Sequence, residues 1–279
     1  MKINLIFPKM LYVLLFVSLN YMYSQGINSK LLPTNEAQFH IGFERPFFSS
    51  NLSIAALSGV FQLSLNIPIS SSLNLIGDIP YINSSYESKS MFGSYSYQEK
   101  GLGNLFVGLQ LNDELIDNRR SIISFGLFLP TADERASING LSSNFYDIQK
   151  FTPNSLGLYF NYAYNNVDTN GVCYGLEVGP NLLIPTKENG GDAEVFLHGG
   201  VNIGYKVSNL FLHVEYLGLA IITQEMNNFG DRFIHMLDIG AKWNSSFISP
   251  QIFYKIYLKE EQRQSIDGIL GLGVSIHLN

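Results

Sequence analysis

Eight ionisable side chains fall at strand spacing in the second half of the chain: Glu177, His198, Lys206, His213, Glu215, Asp238, Lys242 and Lys255. Read with a period of two, they share one face of their strands. A turn at Ser208-Asn209 sets Asn202 near Glu215, and the next connection sets Glu215 near Asp238. Two carboxylates that close need a cation or a shared proton, and Lys242 and Lys255 are the candidates to supply the charge. Such a set either holds strands in register as solvated or mutually paired charges, or forms a polar stripe along a path for solutes. The same face carries Phe106, Phe128, Tyr159, Phe196, Phe211, Leu217, Leu219, Met236, Phe253 and Tyr257. These either fill a narrow interior or line a site for an apolar or aromatic solute, because binding sites combine apolar walls with few polar groups.

Covalent and metal chemistry find little support. The chain has no His-Glu-x-x-His, no Gly-x-Ser-x-Gly and no phosphate-binding Gly-x-x-x-x-Gly-Lys-Ser/Thr. His40, His198, His213, His235 and His277 lack metal-ligand spacing; His40 and His277 are expected to approach each other where the first and last strands meet. Cys173, the one cysteine, reads as a small strand residue. A formal charge of -6 argues against a nucleic-acid surface. The expectation is a protein without metal, cofactor or catalysis, although serine is plentiful enough that a Ser–His pair assembled in space stays open.

The elements that would position these groups are strands. From Leu270 to Leu278 every second residue is large and aliphatic, and Gly271, Gly273, Ser275 and His277 lie between. Only 14% of residues are charged while 46% are hydrophobic, against about 25% charged in an average soluble domain. Much of the surface therefore does not face water, yet no run after residue 25 reaches the roughly 18 to 20 apolar residues of a membrane helix. A lipid-facing chain without such helices must close into a barrel.

Twelve strands are expected, near 36–45, 56–69, 73–83, 101–111, 121–131, 153–165, 172–185, 193–206, 210–222, 232–243, 247–258 and 267–278. Connections alternate in length. Those at Ser70-Ser71-Ser72, Ser208-Asn209 and Asn244-Ser245-Ser246 are short, as periplasmic turns are. Ser84 to Lys100 and Ala132 to Thr152 are the longest and are expected outside. Tyr164, Tyr205 and Trp243 fall where an interfacial girdle belongs; Phe43, Tyr81 and Phe233 are candidates for the opposite rim. Pro46, Pro80, Pro130 and Pro185 are expected at the extracellular rim, ending strands or bending them over the mouth. Lys2, Lys9 and the apolar Leu11–Leu19 read as an export signal cleaved after Ser24.

Two segments, Gly101-Leu102-Gly103-Asn104-Leu105-Phe106-Val107-Gly108-Leu109 and Phe125-Gly126-Leu127-Phe128-Leu129-Pro130-Thr131, resemble an outer-membrane family named for the MetA pathway of phenol degradation, a relative of transporter-type barrels. In that family a strand opening with Gly-x-Gly and a polar residue precedes one closing with Leu-Pro-Thr-Gly; here Ala132 stands at the last glycine. Leu183-Ile184-Pro185-Thr186 echoes the ending. The resemblance implies a barrel of about twelve strands that passes small solutes, apolar or aromatic ones among them. The more distant long-chain fatty-acid transporters have an N-terminal plug, for which Gln25 to Asn35 is too short.

The sequence thus predicts an all-β protein: a signal peptide over 1–24, then a closed antiparallel transmembrane β-barrel over 25–279, in the outer membrane of a Gram-negative bacterium. The expected function is porin-like passive transport. The expected lumen lining is Phe106, Phe128, Tyr159, Glu177, Phe196, His198, His213, Glu215, Asp238, Lys242, Phe253 and Lys255. The expected partners are outer-membrane lipid, a small-molecule solute and the barrel-assembly machinery during biogenesis. The rival functions are a non-conducting structural or surface-interaction barrel acting through its loops, and a barrel hydrolase. The rival fold is a soluble, exported all-β protein.

Overall fold

Alternating residues become alternating faces when a strand pairs on both sides, and every strand of the closed wall of this protein does so. The structure, a computed structural model, describes residues 37–49, 53–90, 93–113, 119–167, 171–187, 191–223 and 232–278. The expected signal peptide lies outside the described residues. The strands are β1 (Ala37–Phe48), β2 (Ser53–Ile54), β3 (Gly59–Pro68), β4 (Leu73–Ser90), β5 (Gly93–Leu102), β6 (Leu105–Asn112), β7 (Arg119–Leu129), β8 (Ser155–Val167), β9 (Val172–Pro185), β10 (Glu194–Val207), β11 (Leu210–Ile221), β12 (Phe233–Trp243), β13 (Ile248–Tyr257) and β14 (Ile266–Leu278). Among the described residues three short α-helices join them: α1 (Glu134–Ser143), α2 (Ile148–Phe151) and α3 (Glu260–Arg263).

Neighbouring strands run antiparallel around a closed circuit of twelve. β1 pairs with β3, β3 with β4, β4 with β6, and each later strand with the next. The circuit closes where β1 meets β14, from Ala37 opposite Leu278 to Phe48 opposite Ile266. Closure leaves no strand edge in the wall, the condition for a sheet in lipid. The strand register places Asn202 opposite Glu215, Glu215 opposite Asp238, and His40 opposite Ser275 with His277 two residues further along.

The two faces separate cleanly. Ile41 is 47% exposed on the outside while His40, one residue earlier, is 0% exposed within. Leu63, Ile79, Val107, Phe125, Leu158, Phe160, Leu212, Ile239, Ile252 and Leu272 extend the exposed apolar belt. The protein is a twelve-stranded outer-membrane barrel. Tyr205 and Trp243 sit exposed on this face at the C-terminal ends of β10 and β12, and Tyr164 lies half-buried near the same end of β8.

Three details depart from the linear reading. The expected strand over 101–111 is two strands, broken at Gly103-Asn104. The expected outer loop over 84–100 is the tip of a hairpin: β4 continues to Ser90 and pairs with β5 beyond the barrel rim, with Tyr86 stacked on Tyr97 at 4.8 Å. Pro80 therefore does not end its strand. It lies where β4 exchanges β6 for β5, and its carbonyl accepts from Gly103 N at 2.8 Å. Pro46 is buried within β1, Pro185 is the last residue of β9, and Pro130 is exposed just beyond β7.

Because β14 pairs with both β1 and β13, deleting Ile266–Leu278 leaves two open edges. We expect the truncated chain to give no heat-modifiable folded band on a semi-native gel; a truncated chain that still inserts would contradict this strand order.

Candidate functional site: a plug folded into the lumen

Twelve strands enclose more space than wall side chains fill; about eight is the number at which they suffice. Here the connection from β7 to β8 turns inward and takes up the space. Its start is a helix cap. Asp133 accepts at Oδ1 from Arg135 N at 3.0 Å and Ala136 N at 2.9 Å, opening α1. A 3-10 turn over Phe145–Asp147 and the short α2 follow, and Asn154, at φ 52°, turns the chain back into β8. A left-handed conformation is one that Asn tolerates.

The Gly101-Leu102-Gly103-Asn104 break is the clamp for this plug. Asn104 is 0% exposed. Its Nδ2 donates to the carbonyls of Gln149 (2.8 Å) and Thr152 (2.7 Å), and its Oδ1 accepts from Ala132 N (3.0 Å). Its backbone N donates to Lys150 O at 2.7 Å. One residue thus holds both ends of the plug by its main chain. Thr131 Oγ1 accepts from Leu105 N (2.9 Å) and donates to Gly103 O (3.0 Å), so the Leu-Pro-Thr ending belongs to the same clamp. The glycines are required by proximity: a Cβ on Gly103 would meet Lys150 O at 2.5 Å, and one on Gly101 would meet Asp133 Cβ at 2.6 Å.

Charge fixes the middle of the plug. Lys150, buried in α2, pairs with Asp78 of β4 at 3.1 Å and with Asp147 at 3.6 Å. Asp78 also accepts from Ser64 Oγ at 2.8 Å and from Gln62. Burial alone would lower the Lys150 pKa, but the charges of Asp147 and Asp78 outweigh it and the net shift is upward. Lys150 therefore stays protonated below the ordinary lysine pKa, and the latch is lost only as pH rises past its own, higher value.

The far side is held by packing. Phe145 N donates to Tyr257 Oη at 2.9 Å. Tyr146 buries its ring among Leu183, Phe196, Leu217, Leu219, Met236 and Tyr257, and its hydroxyl donates to Glu177 at 3.5 Å. Burial, and then the Glu177 charge, push the Tyr146 pKa well up, so this hydroxyl keeps its proton. Phe151 joins Val60, Ile82 and Ala136 in a second cluster. Burying one such ring contributes about 1.5–3 kcal/mol. Phe196, Leu217, Leu219, Met236 and Tyr257 are thus the seat of the plug.

Below the plug remains a cavity of about 20 Å³, lined by Phe128, Tyr146, Asp147, Gln149, Lys150, Tyr159, Glu177, Asn181 and His198. That is room for about one water molecule. Phe106, Phe128 and Tyr159 form an aromatic cluster with ring centroids 4.8, 5.5 and 6.1 Å apart. Tyr159 stacks on His198 at 5.3 Å, and His198 is held by Asn181 (2.9 Å) and Asn161 (3.0 Å). Asp238 and Glu215 are buried side by side on β12 and β11, and His213 Nε2 lies 3.8 Å from Asp238. Lys255 sits opposite Asp238, yet its ammonium bonds Glu44 at 2.5 Å and lies 5.0 Å from the Phe253 ring centre. Lys242 is buried lower on β12, and its Nζ has no hydrogen-bond partner.

Sequence reasoning missed Asn104, Lys150, Asp78, Glu44 and Tyr146. The cap at Asp133 before Glu134-Arg135-Ala136 was a readable helix signal, and it would have marked the segment as structured.

No family model matches the chain, and no curated protein does. Among solved structures it is similar to an outer membrane channel from Pseudomonas putida F1, with a TM-score of 0.63 at 13% identity, covering 91% of this chain and 99% of that one. It is also similar to the KdgM porin (TM-score 0.52, 8% identity, 87% and 99% covered) and the NanC porin (0.52, 10%, 87% and 100%). Its fold is that of outer-membrane channel barrels.

Asn104→Ala removes three side-chain hydrogen bonds to the plug backbone. At about 1 kcal/mol each, we expect the plug to loosen by roughly 3 kcal/mol, read as faster proteolysis within 134–151 while the barrel stays folded. Lys150→Met leaves Asp78 and Asp147 without their ammonium and costs about 3–5 kcal/mol, read as a lower melting temperature below pH 10; unchanged melting would show that the latch carries no load.

Proposed function

We propose that the protein is a passive, porin-like channel for small solutes, gated by the segment over residues 132–152. The observation that carries this reading is the latch. The plug is held on one side by hydrogen bonds from Asn104 to its two ends and by the Lys150–Asp78 ion pair, and on the other by packing of Tyr146 and the Phe145–Tyr257 bond; none of these contacts belongs to the strand ladder, so the segment can leave without unfolding the strands. A gate needs two discrete arrangements of one element, and a segment hinged at Thr131–Asp133 and Thr152–Asn154 provides such an element.

The solute we propose is small and polar, since much of the apolar inner wall seats the plug and most of the remaining inner face carries carboxamides, hydroxyls and charges. A second reading is an apolar or aromatic solute, as the resemblance to the phenol-pathway family implies. The Phe106, Phe128 and Tyr159 cluster against the cavity favours it. We also propose that the protein is not an enzyme. His40 Nδ1 meets Ser275 Oγ at 3.0 Å and His277 Nε2 meets Ser249 Oγ at 3.2 Å, both on the buried inner face near the β1–β14 closure, and we read these bonds as holding register. A barrel acting only through its outer loops remains the rival if no current flows.

In planar bilayers we expect the purified protein to give small or infrequent steps, and a chain lacking 134–150 to give steady, larger ones. A deletion variant that is folded and inserted but silent would refute the gated channel.

A further inference from the structure

The plug carries an ammonium group into the lumen and sets it on a carboxylate that the wall itself holds in place. Asp78 of β4 accepts from Ser64 Oγ at Oδ1 (2.8 Å) and from Gln62 at Oδ2, both on the neighbouring β3. Lys150 Nζ lies 3.1 Å from the same Oδ2. The wall thus positions the carboxylate with two neutral donors, and the plug supplies the charge. The place beside Asp78 is ammonium-sized by construction: it is filled while the plug is seated and vacated when the plug leaves. The charge of Glu44 on β1 also acts on Lys150. The rest of the wall has the same sign. Among the described residues its buried charged side chains are five carboxylates, Glu44, Asp78, Glu177, Glu215 and Asp238, against two ammoniums, Lys242 and Lys255. Lys255 is itself bonded to Glu44. Arg120 and Lys206, near the ends of β7 and β10, are more exposed, and salt screens them there.

We propose that Asp78, held by Ser64 and Gln62, is a cation subsite of the open passage, that Lys150 fills it in the closed state as a built-in stand-in for the solute, and that the passage therefore favours small monovalent cations, ammonium-headed ones included, over anions. The proposal rests on the gated-channel reading and narrows its solute. Two neutral donors do not cancel a negative charge, so Asp78 without Lys150 draws a cation from solution. Its occupant in the closed state shows which chemistry fits: a single positive charge with N–H donors. One carboxylate is too few oxygens for a divalent ion, and among the described residues no three acidic, histidine or cysteine side chains meet as metal ligands. Acidic side chains along a passage select cations, because a field focused between low-dielectric walls raises the local concentration of the counter-ion.

The test compares two full-length variants that both lose the latch and differ only in the wall charge: Lys150→Met, and Lys150→Met combined with Asp78→Asn. Reversal potentials are measured in planar bilayers across a KCl gradient. In Lys150→Met we expect K+ to permeate about tenfold more readily than Cl−, and in the double variant this preference should fall several-fold. Should a Lys150→Met chain not fold, the openings of the unaltered chain against those of Asp78→Asn give the same comparison. Currents without cation preference overturn the proposal, as does a preference unchanged by Asp78→Asn. Binding is read separately, without current, by saturation-transfer NMR of ethylammonium with the same folded, detergent-purified chains. Its signal should be strong with Lys150→Met and weak both with the unaltered chain, where Lys150 competes, and with the double variant. An ethylammonium signal equal in the two variants overturns the subsite even if the channel conducts. A chain that binds ethylammonium through Asp78 but stays silent in the bilayer keeps the cation site and loses the channel reading.

Discussion

In lipid no water is present to satisfy a strand edge, so everything else depends on the ladder between β1 and β14. Twelve residues of β1 find partners on β14, and with that ladder every wall strand has two neighbours. Closure also settles which face is which. Once the sheet is a ring, Ile41, Val107 and Leu272 must meet lipid and His40, Asp78 and Lys255 must face the interior. Opposite charges can then be buried because they are paired within a few ångströms, as Lys255 and Glu44 are.

A ring of this size creates its own second problem, an interior too wide to fill from the wall. The chain meets it with the loop between β7 and β8. The solution is asymmetric. On the β3–β6 side the plug is fixed by polar bonds from Asn104 and Asp78, and on the β9–β13 side by apolar packing of Tyr146 and Phe145. Directional bonds set where the segment sits; packing seals it against the opposite wall. The break at Gly103-Asn104 serves both structures at once. It ends the outer hairpin and exposes a backbone surface close enough for α2 to dock.

This division bears on function. Large inward side chains such as Phe196, Leu217 and Met236 would suggest an apolar conduit if the wall stood alone. With the plug in place they are covered, and the wall left over is mostly carboxamide, hydroxyl and charge. The character of a passage through this barrel therefore turns on what remains when the plug moves.

The period-two pattern alone determined the barrel. Strand number, the inward parity of Glu215 and Asp238, the turn at Ser208-Asn209 and the lipid-facing belt all follow from local alternation and short-range pairing, which a linear sequence records. The resemblance motif was legible too, as Gly101-x-Gly103-Asn104 and Leu129-Pro130-Thr131, but its purpose was not. Asn104 and Gln149 are 45 residues apart, and Lys255 and Glu44 are 211 apart. No periodicity connects such partners. Whether the loop over 132–152 projects into water or folds into the lumen depends on a cavity that exists only after the ring has closed. The wall was thus written in the sequence, whereas the plug, its clamp and the closed lumen were decided by tertiary structure, because they are made of contacts between strands distant in the chain.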